Sequence, residues 1–296
     1  MTRKYSLAHL TLVQMSPPEL VRIAGAASYD YVGLRLLEVV GGDAWPLATN
    51  AEMMRKTKAE MSAHGVGVLD VELAKLQPET RIEDFRPTVE AAAELGARHV
   101  LTQAHDPDGA RLVDNFGALC DLLASYQLTA DVEFLTWTNM RNVDDVMQLI
   151  RAAGRKNSGV LIDSLHFFRS GCRVESLRDL PAAIFNYIQI ADAPAEAPAT
   201  TEALIATARS GRLYPGQGGL PLMSLIRELP KDIPIAIEVP NKLLAERSSP
   251  EERARDALAA TKALVQATAV GDEDLSPEMT SPGGEVEKKS STLGKC

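Results

Sequence analysis

Eight times between Tyr5 and Thr268 a short apolar run gives way to a longer amphipathic segment, and this alternation limits the fold more than any other feature of the chain. The strand-length runs are "YSLAHLTL" (5–12), "YVGLRL" (31–36), "VGVLDVELAKL" (66–76), "HVLTQA" (99–104), "TADVEFL" (129–135), "GVLIDSL" (159–165), "NYIQIAD" (186–192) and "IPIAIEV" (233–239). Between them "SPPELVRIAGAAS", "NAEMMRKTKAEMSAHG", "EDFRPTVEAAAELG", "DNFGALCDLLASYQ", "VDDVMQLIRAAGR", "VESLRDLPAAI" and "LPLMSLIREL" carry helical spacing, and "SPEERARDALAATKALVQATA" follows the last. Ser, Asn or Asp opens several of these as an N-cap, with Pro in the first turn of "SPPEL" and "SPEER". Eight βα units predict an α/β fold closed into a (β/α)8 TIM barrel. A doubly wound open sheet would place a Gly-rich phosphate turn after its first strand, and "TLVQMSPPE" holds none. No short fixed period of self-similarity suggests a solenoid.

Composition agrees with one sizeable domain. The 296 residues are 45% hydrophobic, enough for a large core. A net charge of −9, with no Lys/Arg-rich stretch to offset it, disfavours nucleic acid and acidic membranes as partners. The three cysteines are widely spaced without a CxxC pair, so neither a disulfide framework nor a thiolate zinc site is expected. No long apolar signal core opens the chain and no run of some 18 apolar residues interrupts it, which leads us to expect a soluble, cytoplasmic protein. Residues 1–269 are expected to form the barrel. The polar Pro/Gly/Ser-rich stretch 270–296 is expected to be a disordered tail. Homo-oligomerisation is left open.

Active sites of such barrels sit at the C-terminal ends of the strands. There the fifth strand offers Glu133, the sixth Asp163 with His166 three residues on, the seventh Gln189 and Asp192, and the eighth Glu238. Carboxylates in otherwise apolar runs are costly to bury unless paired, protonated or bound to a cation. One shared divalent metal would answer that cost for three of them together. Glu133, Asp163, Gln189 and Glu238 form an oxygen-only donor set, which puts Mn²⁺ first, with Mg²⁺, Co²⁺ and Zn²⁺ as alternatives. The competing expectation is that each acid makes a private ion pair, with Lys75 or Arg35 as partners.

Taken in order, "VEFL", "LIDSLHFFRSG", "YIQIADAP", "RLYPGQGGLPL" and "IAIEVPN" resemble the sugar phosphate isomerase/epimerase family of xylose isomerase-like TIM barrels, over roughly residues 1–268. The resemblance implies that Glu133, Asp163, Gln189 and Glu238 bind one divalent metal, Mn²⁺ above all, and that His166 meets substrate hydroxyls. It implies an isomerase or epimerase for a small sugar or hydroxy-keto substrate. Glu133 and Glu238, metal-bound and acid/base at once, would pass a proton across a cis-enediolate. Arg212 in "GRLYPGQGG" would hold a terminal hydroxyl, carboxylate or phosphate, and Asp192 would also reach substrate. Trp137 is either a platform for a sugar face or a packing residue.

Two departures bear on substrate. Ala195 and Glu196 stand where many hydroxypyruvate-isomerase-like relatives have Gly-Arg, and Asn139 stands where ketose 3-epimerases have a second Glu. A metal-dependent lyase resembling 3-dehydroshikimate dehydratase is the rival within the same barrel. It calls for a basic cluster in the pocket, for which the sequence offers only Lys75, Arg169 and Arg212, a thin set. A non-catalytic sugar-binding barrel is the third reading. The apurinic endonuclease branch is disfavoured by five histidines and an acidic chain. Glu72 and Lys75 either reach the pocket or form an ordinary ion pair at the barrel rim, and His105 with Asp106 is read as the turn and cap before the next helix.

Overall fold

In the computed structural model, which describes residues 3–37, 44–273 and 296, β-branched and leucine-rich runs form strands and the capped amphipathic segments form helices. The strands are β1 (Tyr5–Leu7), β2 (Tyr31–Arg35), β3 (Gly67–Leu76), β4 (His99–Ala104), β5 (Thr129–Glu133), β6 (Ser158–Asp163), β7 (Ile188–Ile190) and β8 (Ile235–Ile237). The helices are α1 (Pro17–Ala26), α2 (Ala51–His64), α3 (Arg86–Glu94), α4 (Gly109–Ala124), α5 (Val143–Ala153), α6 (Ser164–Arg169), α7 (Thr201–Ser210), α8 (Leu222–Glu228), α9 (Lys242–Arg247) and α10 (Pro250–Glu273). Every strand pairs in parallel with its sequence neighbours, and β1 closes on β8 with Ser6 opposite Ala236. The fold is therefore a closed (β/α)8 TIM barrel, as the alternation predicts.

Local chemistry sets the helix starts. Ser16 and Glu19 form a reciprocal capping box over Pro17, and the side chains of Asn50, Asp108, Asn142, Thr200 and Asn241 each accept a first-turn N–H. Two shells of apolar side chains result. Leu69, Leu73, Leu101, Leu161, Tyr187 and Ala236 fill the barrel, and a larger layer packs between the sheet and the helices.

Several elements differ from the sequence reading. The first run splits, with β1 ending at Leu7 and His9–Leu12 turning as a 3-10 helix. "VESLRDLPAAI" forms two 3-10 turns instead of a helix, because Pro181 removes a donor in its middle. Most of "PATTEALIATARSG" is the helix α7. The composition break at 270 falls inside α10, and the rest of the expected tail, from 274 to 295, lies outside the described residues. Among the described residues no helix is long and apolar enough to cross a membrane.

Candidate metal centre

Four adjacent strands deliver their last inward side chains to one buried point. Glu133 closes β5, Asp163 closes β6, Gln189 lies in β7 and Glu238 follows β8, all at most 5% exposed. Asp163 is also the N-cap of α6 and accepts the His166 N–H at 3.1 Å, so a helix of one and a half turns fixes both residues. Candidate ligand atoms of Glu133, Asp163 and His166 lie within 4.8 Å of one another. The imidazole Nε2 stands 3.8 Å from Glu133 Oε1, and the ring meets Trp137 edge-on at 5.1 Å. His166 thus joins the cluster of candidate ligand atoms beside the oxygen donors expected from the sequence.

Each carboxylate is held from behind. Gln103 Nε2 donates to Glu133 Oε2 at 2.5 Å, and His105 Nε2 lies 3.1 Å from the Gln103 carbonyl oxygen. Gln189 Nε2 donates to Glu238 Oε1 at 3.0 Å, which leaves Gln189 Oε1 buried without a partner. Arg212 is 2% exposed and forks between two acids, Nη1 at 2.5 Å from Asp163 Oδ2 and Nη2 at 3.0 Å from Glu238 Oε2. Its guanidinium is a buried counter-ion of two candidate ligands, a contact the sequence did not disclose. Arg35 pairs instead with Glu72.

These contacts set the charge of the site. Burial raises Glu133 to about 8, with repulsion from Asp163 adding to it. Burial likewise drives Glu238 well above the ordinary range against the pull of Arg212. Burial pushes Asp163 upward too, but the charge of Arg212, then His166 and the hydrogen bonds from both, overcome it and leave the carboxyl below its usual value. Desolvation lowers His166 to about 4 and so keeps the imidazole neutral. A divalent cation fits this donor set. An orphaned amide oxygen, an unpartnered His166 Nδ1 and three crowded buried carboxyls are groups that a cation would satisfy together.

Above this point opens a cavity of about 330 Å³. Glu133, Glu238, His166, Arg212 and Trp137 line it, while Asp163 and Gln189 are not among its lining residues. Further polar groups line it too: Arg35 with Glu72, Gln103 with His105, Lys75, and Arg209. Glu72 is a wall residue here, paired with Arg35 at 2.9 Å and not with Lys75 at the rim. His105 lines the cavity, and Asp108, not Asp106, caps α4. Alternation could have flagged Gln103, two residues after the barrel-filling Leu101, but not Glu72, which stands at odd spacings from Leu69 and Leu73 and reaches the cavity where the register of β3 shifts between Val71 and Ala74.

Asp192 is not brought to the cavity, which corrects its expected contact with substrate. Its Oδ1 accepts the N–H groups of Ala193 and Leu220 at 2.8 and 3.1 Å, and its Oδ2 that of Gly216 at 2.9 Å. It staples the loop that carries Arg212. Gly218 packs against the staple so closely that a Cβ there would come 2.4 Å from Asp192 Oδ1 and 2.3 Å from the Ala193 carbonyl oxygen. Arg169 also stays out, donating to the carbonyls of Pro194 and Ala195.

A family model described as xylose isomerase-like TIM barrel matches residues 21–264. The chain belongs to that family. Among curated proteins, a 3-dehydroshikimate dehydratase from Pseudomonas aeruginosa is 30% identical over 118 residues, 40% of this chain and 18% of that protein. The chain therefore spans about a fifth of that relative's length. Among solved structures, a fusion of a xylose isomerase-like TIM barrel with a 4-hydroxyphenylpyruvate dioxygenase aligns at a TM-score of 0.76 and 21% identity, over 94% of this chain and 45% of that one. The IOLI protein, solved with a bound zinc atom, aligns at 0.70 and 18% identity, over 90% of this chain and 98% of that one.

Proposed function

We propose that this family member is a divalent-metal-dependent lyase. It takes the proton beside the ketone of a small hydroxylated carboxylic acid and expels water, the reaction class of the dehydratase it resembles in sequence. The observation that carries this reading is the charge of the cavity wall. Beside Arg35 and Arg212, which face carboxylates, the cavity is lined by Lys75 and Arg209, and neither makes an ion pair with an acid among the described residues. A neutral sugar offers those two cations no counter-charge, whereas a substrate carboxylate does.

Glu133, Asp163, Gln189 and Glu238 would hold the metal, with His166 as a fifth donor within reach. Mn²⁺ remains first for so many oxygens, and the imidazole brings Co²⁺ and Zn²⁺ into the same range. When bound, such an ion supplies Lewis acidity to the ketone oxygen and so acidifies the neighbouring C–H. The residues do the rest. Arg212 keeps Asp163 ionised and spaces it from Glu238, Gln103 fixes the rotamer of Glu133, and Trp137 closes one side of the cavity. His166, neutral and buried, hydrogen-bonds a substrate hydroxyl. We infer that residues 1–269 act as one catalytic unit on a small molecule in the cytoplasm.

A second reading keeps the isomerase or epimerase chemistry, and the shared position of Glu133 and Glu238 in the cavity wall favours it. Two carboxylates at one substrate allow removal of a proton by one and its return by the other through an enediolate. The deciding experiment incubates the Mn²⁺-loaded protein with 3-dehydroshikimate and, separately, with a panel of ketohexoses in D₂O, followed by proton NMR and mass spectrometry. A product lighter by one water supports the lyase. A deuterated isomer of unchanged composition supports the isomerase. No change in any compound refutes both.

A further inference from the structure

Resting on that reading, we propose that Glu72 is the group that receives the substrate proton, and that Arg35 is its positioning residue. The argument is one of free lone pairs. Among the described residues three carboxylates line the cavity: Glu72, Glu133 and Glu238. Both oxygens of Glu238 are taken, by Gln189 and by Arg212. Glu133 has one oxygen bonded by Gln103, and its other lies beside His166 in the cluster that suits a cation. Glu72 differs. Its Oε2 accepts from Arg35 Nη2 at 2.9 Å and Nε at 3.2 Å, while its Oε1 is buried and has no partner.

An acid 1% exposed with one empty oxygen is expensive to keep, and a structural ion pair would not need it left so. Arg35 is itself fixed at its backbone, where its N–H donates to His9 Nδ1 at 2.8 Å, and His9 Nε2 reaches the Met15 carbonyl at 2.8 Å. Burial lowers that imidazole to about 4, which keeps it a neutral acceptor. The chain His9–Arg35–Glu72 is thus held by a hydrogen bond or ion pair at every joint and ends in a carboxylate oxygen without a partner among the described residues. Glu72 also stands on β3, across the barrel from β7, so a substrate lying on the metal centre has this oxygen on its far side.

The step balances without another reagent. Glu72 takes the proton from the carbon beside the ketone, and the C–H electron pair becomes the enolate. The enolate then reforms the ketone by expelling the β-hydroxyl, which leaves with the proton Glu72 carries. The products are the unsaturated ketone and water, and Glu72 ends ionised as it began.

The test compares wild type with Glu72→Gln and Glu72→Asp, using 3-dehydroshikimate as probe. Thermal unfolding and metal content establish folding, calorimetry gives binding, and NMR in D₂O gives exchange of the hydrogen beside the ketone, counted whether deuterium replaces it or it is lost with water. We expect Glu72→Gln to bind metal and probe as wild type does and to lose exchange by on the order of 10²–10⁴-fold. Glu72→Asp keeps a carboxylate set back by one methylene and should recover part of that loss. If Glu72→Gln does not fold, Glu72→Asp carries the test: its exchange should fall on the order of 10²-fold with binding kept. A variant that is less stable yet exchanges at the wild-type rate overturns the assignment and leaves an ion pair. Wild type that neither exchanges nor dehydrates the probe overturns the lyase reading and the assignment together.

Discussion

Replacing Arg212 by Met would remove the one cation that two buried candidate ligands share. Asp163 would lose a contact at 2.5 Å and keep only the His166 N–H, while Glu238 would lose one at 3.0 Å and keep only the Gln189 amide. Breaking a buried ion pair costs about 3–5 kcal/mol, because the remaining charge is desolvated without compensation. At roughly 2–4 °C per kcal/mol for a domain of this size, the metal-free variant should melt about 10 °C below wild type near pH 7. The pH dependence has a definite sign. Asp163 is held below its ordinary value, so its contribution is present above that value and disappears as pH falls through the lowered one. The gap between the proteins should therefore shrink on acidification below about pH 4. A divalent ion offers the same carboxylates a second counter-charge. At a hundredfold excess over its Kd it adds about 2.7 kcal/mol, and Mn²⁺ should therefore restore much of the loss in the variant. Calorimetric melts with and without Mn²⁺ across pH read all of this. Equal melting of both proteins at pH 7 without metal would refute the claim that Arg212 is the counter-ion of the site.

Asp163→Ala should abolish stoichiometric metal in the purified, reconstituted protein, as read by elemental mass spectrometry, with the fold verified by circular dichroism. His9 carries a pH effect of its own: lowered from 6.5 to about 4, it supports the fold fully above 6.5 and withdraws about 3 kcal/mol as pH falls toward 4. Chemical denaturation at pH 4.5 and 7 should show this loss in wild type and a smaller one in His9→Gln. Asp192→Ala frees three loop N–H groups and should cost about 2–4 kcal/mol while lowering turnover more than affinity, since the loop places Arg212 and not substrate; a rise in KM alone would argue for substrate contact after all.

The barrel could be read from the chain because strand and helix periodicities are local. Eight apolar runs with capped helices between them allow few closed arrangements, and one puts every strand end on the same face. For that reason Glu133, Asp163, Gln189 and Glu238 were legible as a converging set before any coordinates: each stands at the end of its own strand, so topology alone brings them together. His166 was legible as a neighbour of Asp163, since three residues span less than one helical turn.

What the chain did not disclose were the partnerships between distant residues. Arg212 and Asp163 lie 49 positions apart, and Arg35 and Glu72 lie 37 apart; whether a guanidinium faces substrate or a buried carboxylate depends on rotamers chosen by packing. Asp192 illustrates the same limit, since it follows its strand as Asp163 does but turns to the loop instead of the cavity. Hydrophobic pattern and chain topology are properties of the sequence, whereas the ionic wiring of the site needs the three-dimensional distances over which charges act. The sequence alone therefore determined the barrel and the ring of candidate donors at its mouth. Only the tertiary structure decided which of those donors are already paired, and that Glu72 keeps an oxygen free.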